Sequence, residues 1–244
     1  MKTKVNELSP SAYARIAGIL YLVITVAAIF AHFVIPDQFI VPGDAAVTAA
    51  NIANSEILFR IGTIGLELII LLSEIVLSVV LYILFKPVSK TLSLLAAVSR
   101  IAMTIIHGLN LLNYYFVLRL LKDGDYLIAF GQEQVNALVT LFLDAHSIGF
   151  TIGIAFLVPH VLILGYLIYK SGYFPKVLGI LFVAAGVGYL IDTIGLLLVP
   201  SYTTTPGLIA MVIAIAEVAF PLWLLIKGVK SEPAQMHTPA LESA

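Results

Sequence analysis

Long apolar runs separated by short polar breaks dominate the chain. Runs over about 14–35, 57–85, 92–118, 138–169, 177–199 and 207–227 are each long enough, at about 1.5 Å per residue, to cross roughly 30 Å of hydrocarbon. The pattern predicts an all-α integral membrane helical bundle of six transmembrane helices. The fourth run, extending roughly 48 Å, is too long for one bilayer thickness. It must tilt, project, or break near Gly149, Gly153 or Pro159, and residues 133–144 are expected to project. The first run resembles a signal peptide in position. Its apolar core of about 20 residues without a small-x-small cleavage site predicts a retained helix.

The polar breaks fix an orientation. With alternate connections on alternate sides, Lys2, Lys4, Arg15, Lys86, Lys90, Lys170, Lys176, Lys227 and Lys230 share one side, against Arg60, Arg119 and Lys122 on the other. The excess of Lys and Arg marks the cytoplasmic side, so both termini are expected inside. Tyr82, Tyr169, Tyr173 and Trp223 fall at inner ends, and Tyr114, Tyr115 and Tyr202 at outer ends, where amphipathic rings favour the interface. Between the first two spans, Val41-Pro42-Gly43-Asp44 and then AAVTAANIANSE predict a break, an N-cap and a short outer helix. This divides the chain into a cytoplasmic segment 1–13, one transmembrane domain 14–229, and a disordered cytoplasmic tail 230–244 with few large apolar residues.

Composition agrees: 61% of the 244 residues are apolar and 11% charged, with a mean hydropathy of +1.07. The 13 basic and 14 acidic residues nearly cancel, so no basic face points to nucleic acid, and the expected partner is the lipid bilayer. Cysteine is absent, which removes disulfides and thiolate chemistry and leaves only His and carboxylates for any metal. A weak echo relates Arg15-Ile-Ala-Gly-Ile-Leu-Tyr21 to Lys176-Val-Leu-Gly-Ile-Leu-Phe182, as a tandem duplication would produce, although apolar segments also converge by chance.

Against this background, ionisable residues inside the spans are the candidates for function, because each is costly in hydrocarbon. Counted from the cytoplasmic ends, Glu74 lies roughly 18 Å deep, and Arg100, His160 and Glu217 each roughly 15 Å, an inner layer. His107 and Asp192 lie roughly 24–26 Å deep and Glu67 roughly 28 Å, with Asp144 and His146 nearer the outer surface. Glu67 with Glu74, and Arg100 with His107, are seven apart and share a helix face. On the fourth span His146, Gly149, Gly153 and His160 share a face that carries a small-xxx-small packing motif. Asp144 and His146, roughly 200° apart, do not ligate one metal from an unbroken helix.

Three chemistries fit these residues. Arg100 neutralising Glu74 or Glu217, with a neutral His160, would hold the bundle in register. Carboxylates exchanging protons with His160 or His107 would make a proton or cation pathway. His107 or His160 with Glu67, Glu74, Asp192 or Glu217 would make a hydrolytic metal site, although no His-Glu-x-x-His or comparable local spacing occurs, and the sequence leaves metal and cofactor unknown. Asn110 and Asn113 read as interhelical glue, Arg60 and Arg119 as snorkelling residues without chemistry, and Pro159 and Pro221 as kinks. Nucleophile elbows, phosphate-cradling loops and dinucleotide fingerprints do not occur, which argues against ATP-driven pumps and ordinary serine hydrolases. A non-enzymatic protein binding or passing a proton, cation or small polar solute is therefore expected, with the metal hydrolase and a structural or partner-binding role as alternatives.

Several segments together carry a resemblance: VPGDAAVTAANI with LFR ending at Arg60, KPV at Lys86, LLAAVSR ending at Arg100, FLDAHSIGF over 142–150, SGYFPKVLGIL from Ser171, GYLID ending at Asp192, and LWLLIKGV ending at Val229. Over about residues 10–229 the chain resembles the bacterial membrane family catalogued as domain of unknown function 4386. The resemblance implies a multi-pass protein of the bacterial plasma membrane. That family has no established activity, so no residue's role carries over.

Overall fold

The computed structural model describes residues 8–122 and 130–229. The segment 230–244, read above as disordered, lies outside the described residues, as do Lys2, Lys4 and Lys230. Six helices are long and apolar enough to span a membrane: α1 (Pro10–Phe39), α3 (Glu56–Phe85), α4 (Lys90–Leu120), α5 (Gln132–Ser171), α6 (Lys176–Leu198) and α7 (Gly207–Ile226). A short helix, α2 (Ala45–Asn54), joins the first two. No strand occurs among the described residues.

Local chemistry places the ends. Ser9 accepts from the Ala12 N–H with Pro10 in the first turn, Asp44 accepts from the Val47 N–H at 2.9 Å, and Ser89 accepts from the Leu92 N–H. Gly43 (φ +79°) makes the turn before α2, and Gly172 (φ +68°) terminates α5 in the left-handed conformation, where a side chain would be strained.

The spanning helices pack in chain order, α1 on α3, α3 on α4, and so on to α7, which returns to α1 and closes a ring. Water is absent between lipid-facing helices, so close packing of small residues supplies much of the attraction. A Cβ on Gly179 would come within 2.6 Å of the Gly165 carbonyl and the Tyr169 N–H, which identifies the α5–α6 crossing as backbone against backbone. The echoed positions Tyr21 and Phe182 both meet the Phe220 ring edge-on, at 6.0 and 5.0 Å between centroids, a shared packing role that accounts for their likeness.

The α5 helix runs 40 residues without a break at Gly149, Gly153 or Pro159, about 60 Å at the ideal rise. Its first turns lie against α2, through Val139 and Leu143 beside Ala49 and Ile52. Helix α7 likewise runs through Pro221.

Two helices depart from regular α geometry at one level. Residues Phe30–Val34 of α1 and Ile61–Gly65 of α3 each form a π turn, the two touch, and Ile35 lies against Gly62, where a Cβ would collide with it. Such turns insert a residue and are frequent at functional sites.

Two large apolar clusters, with a small third one of Ala27, Ala31 and Ile70, fill the ring. One, around Phe85, Leu164, Ile168, Phe182 and Phe220, lies toward the end carrying Lys86, Lys170 and Lys227. The other, around Phe39, Ile52, Phe59, Tyr114 and Leu143, lies toward the end carrying Arg60 and Arg119. Two tyrosines expected at the interface are interior instead. Tyr114 is buried between Phe59 and the His146 ring, and Tyr173 is buried against Phe174, because aromatic packing is available to them there.

Candidate functional site

The buried ionisable side chains of the spans fall into two groups. In the group nearer the lysine-rich end, Arg100 is 6% exposed, Glu74 5% and His160 1%. Arg100 donates from Nη2 to Glu74 Oε1 at 2.8 Å and from Nε to Oε2, a two-point ion pair between α4 and α3. Its Nη1 lies 3.0 Å from His160 Nε2 and donates to the Tyr21 hydroxyl at 3.2 Å, while the guanidinium carbon stands 5.1 Å from the Tyr21 ring centroid. His160 Nδ1 is 2.9 Å from the Ala96 carbonyl, which only accepts, so Nδ1 carries the hydrogen and Nε2 accepts from Arg100. His160 is thus a neutral acceptor in this arrangement. On α7, Glu217 is partly buried and accepts from the Tyr189 hydroxyl of α6 at 3.2 Å, and its charge acts on Arg100 and Tyr21.

All six spans therefore contribute, through Tyr21, Glu74, Arg100, His160, Tyr189 and Glu217. The depth count brings four of these together from sequence. Arg100 takes Glu74 as its partner, and Glu217 is held by Tyr189. The two tyrosines went unread, since nothing in the local pattern sets them apart from interface aromatics.

The second group lies farther from the lysine-rich end, against the apolar cluster around Phe39 and Tyr114. His32 Nε2 is 3.3 Å from Glu67 Oε1, with Glu67 only 3% exposed. His107 Nε2 donates to the Phe150 carbonyl at 3.0 Å. Asn110 Nδ2 lies 2.9 Å from the His146 carbonyl and 3.1 Å from its Nδ1, the interhelical bond expected of it, whereas Asn113 donates to Asn110 at 2.8 Å within α4 and so supports that bond from its own helix. The Phe150 ring packs against two histidines, 4.7 Å from His107 in a stacked arrangement and 4.7 Å from His32 in a tilted one. A cavity of about 330 Å³ reaches this group, lined among others by His32, Tyr114, His146 and Phe150, beside a chamber of about 630 Å³ lined by Asp44 and Asp144.

His32 was missed by the sequence reading. At roughly 25 Å from Arg15 it matches the depth of Glu67, but the π turn shifts the face a straight helix would give it. Asp144 is exposed and His146 buried, as their angular separation requires. Asp192 stands apart, accepting from Tyr202 at 2.8 Å and Thr205 at 3.0 Å in the loop before α7. Arg60 pairs with Glu56 at 2.6 Å, and Lys122 reaches the same carboxylate at 3.3 Å.

Among the described residues, no three His, Asp or Glu side chains are grouped so as to hold a metal. In place of a ligand set, His107 or His160 with the carboxylates resolves into separate pairs: His160 is committed to Arg100, and His107 to a backbone carbonyl.

A closed ring of six apolar helices around a hydrogen-bonded polar interior defines a multi-pass helical membrane protein. Residues 16–228 match the model of the family described as Domain of unknown function (DUF4386), and the chain belongs to that family. An uncharacterised protein of Archaeoglobus fulgidus is 37% identical over 167 residues, 68% of this chain and 83% of that one. No solved structure matches the chain.

Proposed function

We propose that this is a non-enzymatic protein of the bacterial plasma membrane, both termini cytoplasmic, that binds or passes a proton, a cation or a small polar solute through its polar interior. The supporting observation is the cavity of about 330 Å³ that carries His32 and His146 on its wall, titratable groups set within the spans beside the apolar cluster around Phe39 and Tyr114. The excess of lysine at the opposite end supports the orientation, which places this cavity on the outer side.

A second reading has its own support. The cluster of Arg100, Glu74, His160 and Tyr21 is fully hydrogen-bonded, and no buried side-chain nitrogen or oxygen among the described residues lacks a partner, as a register-fixing network requires. Proton and alkali-cation flux in proteoliposomes distinguishes the two. Flux above that of protein-free vesicles, lost in Glu74→Gln or Glu217→Gln, supports conduction. No flux in wild type, with variants that only lose stability, supports the structural role.

A further inference from the structure

The polar group on the cavity differs from the Arg100 cluster in one respect. Arg100 balances Glu74, whereas Glu67, equally buried, forms no ion pair with Lys or Arg among the described residues and has His32 as its facing group. An ionised carboxylate in an apolar interior is unfavourable unless it is paired, and a histidine neutralises it only when one proton is held between the two.

We infer that His32 and Glu67 form a proton-binding site, loaded from the cavity on whose wall His32 lies; this deepens the proposed function and rests on it. Hydronium in the cavity gives its proton to the pair and leaves as water. The loaded pair, whether imidazolium with carboxylate or imidazole with carboxylic acid, has no net charge, and the empty pair is a buried anion. Loading is therefore the favoured state in this setting, and unloading requires a cation or a rearrangement.

The surroundings are consistent from every side. From α4 the facing groups are His107, which donates to a carbonyl, and the Tyr114 hydroxyl. From α5 they are His146 and Phe150. The adjoining chamber adds Asp44 and Asp144, and neither lining contains Lys or Arg among the described residues, so the field along the way in favours a cation. The pair owes its placement to the two π turns, which sit at its level on α1 and α3.

The test is an equilibrium titration of the full chain in nanodiscs, following carboxyl protonation by infrared difference spectroscopy from about pH 5 to 9, the range in which a histidine pair exchanges protons. A carboxyl step present in wild type, Glu74→Gln and Glu217→Gln but missing in Glu67→Gln is expected. The same step surviving in Glu67→Gln overturns the site. Circular dichroism and gel filtration establish that each variant is folded. Should Glu67→Gln not fold, His32→Gln serves: its midpoint moves by about tenfold or more in proton concentration if the pair shares the proton, and an unmoved midpoint overturns the pairing. Titration needs no transport, so a Glu67 step without flux retires conduction and leaves the site, whereas flux without a Glu67 step does the reverse.

Discussion

Arg100 and Glu74 meet at two points, Nη2 on Oε1 at 2.8 Å and Nε on Oε2, with both side chains almost wholly removed from the surface. Such a pair is worth little against an apolar replacement of similar volume, but breaking it leaves a charge stranded. Arg100→Met is expected to cost about 3–5 kcal/mol, and Glu74→Leu combined with Arg100→Met to recover most of that loss. Thermal unfolding of the single and double variants in one detergent measures both.

The α4–α5 contact depends on two missing side chains. A Cβ on Gly153 would overlap the His107 ring and one on Gly149 the Asn110 amide, whereas one on Gly108 would meet only Leu71 Cδ1 at 3.8 Å. Alanine at 149 or 153 is expected to cost about 1–3 kcal/mol, and at 108 to be tolerated within about half a kcal/mol. Comparing the three unfolding midpoints tests whether the face shared by His146, Gly149, Gly153 and His160 is a packing surface.

That face is legible in the sequence itself, from helical phase and the spacing of its small residues. Run length and lysine spacing were enough for the six spans, because hydrocarbon thickness sets helix length regardless of partner choice. Depth counting sufficed for Glu74, Arg100 and His160, because all three lie on regular helix. It failed for His32, where a π turn alters the phase, and for Tyr21 and Tyr189, whose rings resemble any interface tyrosine until the bundle closes around them. Of the three ways in which the long fourth run could be accommodated, tilt, projection or a break, the break does not occur, because a helix can run past a glycine or a proline when its neighbours hold it, here with Ser99 donating to the Phe156 carbonyl close to Pro159.

Outside the spans, Tyr202 links the loop before α7 to Asp192 and lies against Gly195. Its phenol is pushed up to about 12, by removal from water first and then by the hydrogen bond to Asp192 and that residue's charge. A raised phenol stabilises the fold fully below its unfolded value of about 10, and that contribution is lost as pH rises through the folded value. The loop is therefore expected to loosen between about pH 10 and 12 in wild type, with the step absent in Tyr202→Phe. Ultraviolet titration of the phenolate alongside proteolysis of the loop checks both parts.

Phe150 lines the cavity with His32 and stacks on His107, which is not among the lining residues, so its ring is the side chain expected to wall His107 off from the cavity. The backbone carbonyl that holds His107 is unaffected by truncating the side chain, so Phe150→Ala removes the wall and keeps the hydrogen bond. Because the ring is partly open to the cavity, the stability cost is expected to fall below the about 3–5 kcal/mol of a fully buried phenylalanine. Exchange of the imidazole C2 hydrogen for deuterium, read by mass spectrometry, reports water access at each histidine. In wild type His32 is expected to exchange severalfold faster than His107, and in Phe150→Ala the His107 rate is expected to rise toward that of His32, with His160 unchanged behind Arg100. Equal rates at His32 and His107 in wild type would mean that water already passes the ring and that the wall lies elsewhere.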